Sequence, residues 1–186
     1  VADADYDSST TVDDRTKSTN SDDAEFTTPG PQLVKRIVST SLADTTDGLD
    51  LDPDVAIGEI VTFELEATMA EGTSNNVSLV DTLPATFTVV DSEVYAIGSN
   101  ISGSSLTVGT AGTVAGNQVT FNFGNIVNMP DGVTTAADRI VVRIDARLTD
   151  DPSNADGQTK TNTGQLNYTD STNAPQSLSD TDDIDV

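Results

Sequence analysis

The sequence predicts an all-β protein, an antiparallel immunoglobulin-like β-sandwich preceded by an acidic N-terminal strand or hairpin extension, and three observations carry that expectation. Val, Ile, Leu and Ala alternate with polar residues in short runs. Clusters of Gly, Asn, Asp, Ser and Pro separate the runs. No segment repeats its apolar residues at a helical spacing.

The elements follow in chain order. Residues 1–28 are rich in Asp, Ser and Thr, poor in apolar residues, and end at Pro29-Gly30-Pro31, which marks a boundary between an extension at 1–28 and a sandwich at 29–186. The first strand is expected over Leu33 to Ser39. The clearest is Ile60 to Met69, where Val61, Phe63, Leu65, Ala67 and Met69 share one face and Thr62, Glu64, Glu66 and Thr68 share the other. That alternation makes the first set core and places Glu64 and Glu66 in solvent. Further strands are expected at Val77 to Leu83, Phe87 to Val94, Val119 to Phe123, Ile140 to Leu148 and Gln165 to Tyr168, with turns at Gly116-Asn117 and Asp131-Gly132. Strands at this spacing with no helices between them favour a sandwich over a parallel sheet. The Cys and Trp landmarks of antibody domains are absent.

The two ends of the chain resemble each other. Ala2-Asp3-Ala4-Asp5-Tyr6 followed by Asp22-Asp23-Ala24-Glu25-Phe26 is echoed by Gly164-Gln165-Leu166-Asn167-Tyr168 followed by Asp182-Asp183-Ile184-Asp185-Val186. Three readings of this echo stay open. The segment starts late in one repeat of an array and stops at the same point of the next. Alternatively, an N-terminal hairpin replaces the C-terminal one of a neighbour by donor-strand exchange, or two acidic edge hairpins simply share a composition.

Composition narrows the chemistry. The chain of 186 residues contains no Cys and no His, which removes disulfides, Ser/His/Asp and Cys/His nucleophile systems and the usual zinc ligands. No catalytic residues for an external substrate are expected, and the chain is not expected to be an enzyme. With 31 acidic and 8 basic residues, the formal net charge of -23 repels phosphate backbones and anionic lipid, so nucleic acid is not an expected partner. No apolar run approaches the roughly 18 residues of a membrane span, so direct membrane insertion is not expected either. Carboxylates at this density suit a salty or calcium-rich medium, which points to a marine or halophilic setting.

Pro31-Gln32-Leu33-Val34-Lys35, Ile57-Gly58-Glu59-Ile60-Val61-Thr62-Phe63-Glu64-Leu65, Val80-Asp81-Thr82-Leu83-Pro84 and Thr161-Asn162-Thr163-Gly164 together resemble the landmarks of two related bacterial and archaeal surface-repeat families. These are the domain-of-unknown-function-eleven repeats and the isopeptide-forming fimbrial domains. The resemblance spans about residues 31 to 186, leaves 95 to 138 unmatched, and is most specific at Asp81-Thr82-Leu83-Pro84. It implies a structural module of an extracellular filament, fimbria, stalk or surface layer, joined head-to-tail with identical or similar subunits or repeats at the cell surface. The alternative is a calcium-dependent adhesin or binding module of a large repetitive surface protein.

The isopeptide-forming members join a strand lysine to a strand asparagine with help from a buried acid, and Lys35, Asn162 and Asp81 stand at the matching positions. The only catalysis implied is this autocatalytic, intramolecular step. It needs a neutral amine and a protonated acid, hence an apolar environment for all three groups. Strand parity agrees with that placement. Lys35 shares a face with Leu33 and Ile37, Asp81 with Val77, Leu79 and Leu83, and Asn162 with Leu166 and Tyr168. The competing reading has Lys35 snorkelling at a sheet edge, Asp81 capping the turn before Pro84, and Asn162 opening a strand.

No other cofactor is expected, although calcium is a candidate ligand because hard cations collect oxygen donors. Asp44, Asp47, Asp50, Asp52 and Asp54 form one acidic loop, and Asp150, Asp151 and Asp156 lie in another with Asn154 and Gly157. The first departs from the EF-hand pattern at Val55, where glycine is required. A solvated acidic surface is the simpler account of the second. Acceptor sequons at Asn76, Asn100 and Asn167 are candidates for glycosylation.

Overall fold

A computed structural model describes residues 29–42, 53–170 and 172–186. The N-terminal extension and Asp44, Asp47, Asp50 and Asp52 of the first acidic loop lie outside the described residues. Among the described residues, ten strands form in order: β1 (Gln32–Thr40), β2 (Ile60–Thr68), β3 (Gly72–Thr82), β4 (Phe87–Ile97), β5 (Ile101–Ser102), β6 (Thr113–Ala115), β7 (Gln118–Asn128), β8 (Arg139–Leu148), β9 (Thr159–Thr169) and β10 (Pro175–Asp185). A single 3-10 turn at Ala136–Asp138 is the one helical element among the described residues.

The strands build two antiparallel sheets, β1-β2-β8-β4 and β10-β9-β3-β7-β5, with β6 attached to β7. Alternation drives this arrangement, because one face of every long strand is apolar and must find the other sheet. Val61, Phe63, Leu65 and Ala67 of β2 and Ile140, Val142, Ile144 and Ala146 of β8 pack against Val77, Leu79, Phe121, Phe123 and Leu166 of the second sheet, all fully buried. Phe63 meets Phe87 edge-to-face with ring centroids 6.1 Å apart. The expected turns are present. Gly116, with φ 64°, occupies the left-handed position opening the two-residue β6–β7 turn, and Asp131 and Gly132 donate their backbone N–H groups to Glu71.

The outer face of the first sheet corrects one expectation. Glu64 and Glu66 do point away from the core, as their parity requires, yet the Glu64 side chain is only 3% exposed and that of Glu66 14%. Arg36 of β1 and Arg143 of β8 flank Glu64 in register and both bond its carboxylate, while Arg36 and Arg139 bond Glu66. The Arg143 guanidinium also stacks on Tyr95, 3.4 Å from the ring centroid. Long cationic side chains on neighbouring strands have covered a face that alternation alone assigns to solvent.

β10 has no apolar pattern that singles it out as a strand, and only the echo between the chain ends, read as edge hairpins, anticipates it. It forms a long hairpin with β9, from Pro175 opposite Thr169 to Asp185 opposite Thr159. Asp170 organises the turn. Its carboxylate accepts from the Thr172 hydroxyl at 2.7 Å, the backbone N–H of Thr172 and Ala174 at 2.8 and 3.0 Å, and the Gln176 amide at 2.8 Å. These donors, the Thr172 hydroxyl foremost, hold the Asp170 carboxyl down to about 2. A depressed folded value means that the turn gains stability above the unfolded carboxyl value of about 3.9 and loses it as pH falls through the folded one. An NMR titration of the Asp170 carboxyl carbon is expected to give a midpoint near 2, whereas a midpoint near 4 contradicts these contacts.

Candidate functional site: a buried Lys-Asp-Asn constellation

Lys35, Asp81 and Asn162 come from three strands in two sheets and meet inside the sandwich. Lys35 sits on β1 of the first sheet, with Asp81 on β3 and Asn162 on β9 of the second. Their residue exposures are 5%, 1% and 0%. The Lys35 and Asp81 side chains are completely enclosed, so Lys35 does not snorkel to the sheet edge. Lys35 Nζ donates to Asp81 Oδ1 at 3.0 Å, and Asn162 Nδ2 approaches Asp81 Oδ2 at 3.5 Å. One carboxyl therefore touches the amine with one oxygen and the amide with the other. The ring of Phe63 lies beneath the amine, with Nζ 4.8 Å from its centroid.

Burial acts on both ionisable groups in the sense that favours neutrality. Desolvation lowers the Lys35 amine below its ordinary value, against the opposing attraction of Asp81 and, more weakly, of Asp182 and Asp180. Desolvation likewise raises the Asp81 carboxyl, against the pull of Lys35 and the Asn162 contact. Asn162 Oδ1 is buried without a hydrogen-bond partner. A half-turn of this amide brings Oδ1 to the place now held by Nδ2, where a protonated Asp81 would donate to it. That arrangement satisfies the orphaned oxygen and withdraws electron density from the amide carbon.

Close packing fixes the group. Gly164 of β9 lies opposite Asp81 of β3 in the sheet register. A Cβ added there would stand 2.9 Å from Leu65 Cδ2 and 3.4 Å from Lys35 Cδ. Glycine thus leaves the room through which the lysine stem and Leu65 enter. Gly164→Ala is expected to lower stability by about 1–3 kcal/mol through overpacking, measured as a shift of the denaturant midpoint. An unchanged midpoint would contradict the close approach.

The other candidate positions are dispersed. Asp54 forms an isolated parallel bridge with Asp185 at the end of β10. Asp151 Oδ1 accepts from the Ser153 backbone and hydroxyl at 2.9 and 2.6 Å, closing a local turn. Asp150 and Asp156 are exposed in the same loop. Among the described residues, no group of three or more His, Cys, Asp or Glu side chains is placed to hold a metal ion. Of the sequons, Asn76 is exposed with φ 52°. Asn100 is half-buried, with its amide nitrogen bonded to Asp131 and Asp138 at 3.0 Å each. Asn167 lies within β9, between β3 and β10.

Asp180 and Asp182 on β10 belong to the site and escape sequence reading as partners of β1. Asp180 Oδ2 accepts from the Lys35 backbone N–H at 2.8 Å, and Asp182 Oδ2 accepts from the Ile37 N–H at 2.6 Å. The only signal in the sequence is the alternation Leu178, Asp180, Asp182, Ile184, whose first and last members are apolar.

Comparison with known proteins supports the fold at low sequence identity. No family model matches the sequence, and no curated protein matches it. Among solved structures, the chain is similar to BcpA, the major pilin subunit of Bacillus cereus, with 12% identity over 83% of this chain and a TM-score of 0.53. It is also similar to BspA_C_mut, with 13% identity over 84% of this chain, 47% of that chain and a TM-score of 0.50. This chain spans 40% of the length of BcpA. The shared feature is the β-sandwich. Among the described residues, no helix is long and apolar enough to cross a membrane.

Proposed function

We propose that this chain is a structural module of an extracellular pilus-like filament or surface adhesin, arranged in line with identical or similar modules, and that an amide bond between Lys35 and Asn162 ties its two sheets together. The observation that carries the reading is the enclosed Lys35-Asp81-Asn162 constellation, in which one acid contacts both the amine and the amide. A fold shared with a major pilin subunit supports the setting, as does a formal net charge of -23, which suits a hydrated outer surface.

The chemistry is self-contained. Neutral Lys35 attacks the Asn162 side-chain carbon with its nitrogen lone pair, while protonated Asp81 stabilises the developing oxyanion by donating a hydrogen bond. The lysine nitrogen loses a proton through Asp81, the departing amide nitrogen gains one, and the intermediate collapses with loss of one ammonia. The product amide joins β1 to β9 and leaves Asp81 in its starting state. The bond spans most of the sandwich, so tension applied between β1 and β9 would run through covalent bonds, a role that needs no cysteine.

Single-molecule pulling tests the mechanical part. The segment between Lys35 and Asn162 is expected to release no length when force is applied at the ends of the domain. Full extension of that segment would overturn the tie. Immunogold labelling of intact cells of the source organism tests the setting. Regular labelling along surface filaments is expected, and unlabelled surfaces on cells whose thin sections label in the interior would contradict it.

A further inference from the structure

β1 and β10 are the neighbouring edges of two different sheets, and no backbone ladder joins them. In an antiparallel ladder, alternate residues turn their amides toward the partner strand. Lys35 and Ile37 turn theirs away from β2, and each would be an unpaired edge donor without the side chains of Asp180 and Asp182. Both contacts are separated by the same 145 residues of chain, so the two strands run in the same direction and the carboxylates fall in step with β1. The placement within the second sheet matters equally. Asp180 lies opposite Gly164, and Asp182 lies opposite Asn162. The carboxylates therefore stand on the strand beside the reacting asparagine and hold the strand that carries the reacting lysine.

We infer that Asp180 and Asp182 are positioning residues for the Lys35–Asn162 bond, setting the register of β1 by accepting its two outward backbone amides before the amide forms. The inference rests on the proposed function, since it concerns how that bond is reached. Register decides the chemistry. A slip of β1 by one residue turns Lys35 out of the sandwich, and a slip by two brings Leu33 or Ile37 to Asp81. β2 alone defines the register from one side only, and β1 already carries an irregularity between Ile37 and Ser39. The carboxylates supply the second side. Their charge works against the reaction, because it favours the protonated amine. Their contribution is therefore hydrogen bonding.

That opposition gives a test. Cell-free synthesis of the full chain, stopped at intervals and read by intact mass, follows the loss of ammonia. The double variant Asp180→Ala with Asp182→Ala is expected to cross-link at least roughly tenfold more slowly than the parent, from the loss of two hydrogen bonds made by charged groups. The double variant Asp180→Asn with Asp182→Asn retains acceptor oxygens without the opposing charge and is expected to react at least as fast as the parent. Should the alanine pair fail to fold, the single variant Asp182→Ala is expected to slow the reaction alone. Equal rates in all variants, or acceleration by both the alanine and asparagine pairs, would overturn the positioning role.

A parent chain that never loses ammonia refutes the proposed bond itself, and a second readout then judges the clasp. In the Lys35→Met background, hydrogen exchange at the amides of residues 35 and 37 is expected to be slow with aspartate or asparagine at 180 and 182 and fast with alanine. Equal exchange in all three would contradict the clasp independently.

Discussion

Replacing Asp81 with alanine is expected to prevent the cross-link and to lower the unfolding free energy by at least about 5 kcal/mol, the chain entropy that the covalent tie removes from the unfolded state, with a further cost for a Lys35 amine left buried without its partner. Both effects have one origin. Among the described residues, Asp81 is the sole side-chain hydrogen-bond partner of the Lys35 amine, at 3.0 Å, and it also contacts the Asn162 amide. Without the acid, the lysine has no side chain to receive its proton and the amide has no donor to polarise it. Denaturant unfolding of Asp81→Ala and its intact mass check the two halves together. Parental stability with full conversion would show that Asp81 is a bystander.

The second large effect separates a covalent tie from an ion pair. In the triple variant Lys35→Met, Asp81→Leu and Asn162→Leu, apolar residues of similar size fill the site. A buried ion pair exchanged in this way commonly leaves a protein equally stable or more stable, by about 1–4 kcal/mol. A covalent link works in the opposite direction. Closing a loop on the order of 100 residues removes chain entropy worth about 5 kcal/mol from the unfolded state. The triple variant is therefore expected to be less stable than the cross-linked parent. Equal or greater stability by chemical denaturation would indicate that the three side chains form only a polar cluster.

The apolar alternation carried most of this architecture, and the places where it failed share a physical cause. β2 and β8 are central strands whose inner faces are uninterrupted apolar residues, so period and burial agree there. The same parity placed Lys35, Asp81 and Asn162 inward, because a polar residue in phase with buried neighbours has no independent route to solvent. Glu64 has the parity of an outward residue but the burial of an inward one, since Arg36 and Arg143 come from strands distant in sequence. Such cover depends on strand order, which a local pattern does not contain.

β10 failed for a related reason. Asp180 and Asp182 occupy inward positions that open toward the edge of β1 rather than the apolar centre. An aspartate there satisfies backbone donors that an aliphatic residue would leave exposed. The position consequently carries no apolar strand signal in sequence and behaves as a seam in the fold. Asp170 shows the same chemistry in a turn, where local donors gather on one carboxylate.

Intact mass spectrometry of the purified chain reaches the central claim most directly, beside Lys35→Met and Asp81→Ala prepared in the same way. The parent is expected to be lighter than its sequence by one ammonia, with a branched peptide joining Lys35 to Asn162 after digestion, while both variants keep their full mass. A parent at full sequence mass, with Lys35 and Asn162 recovered on separate unmodified peptides, would contradict the account.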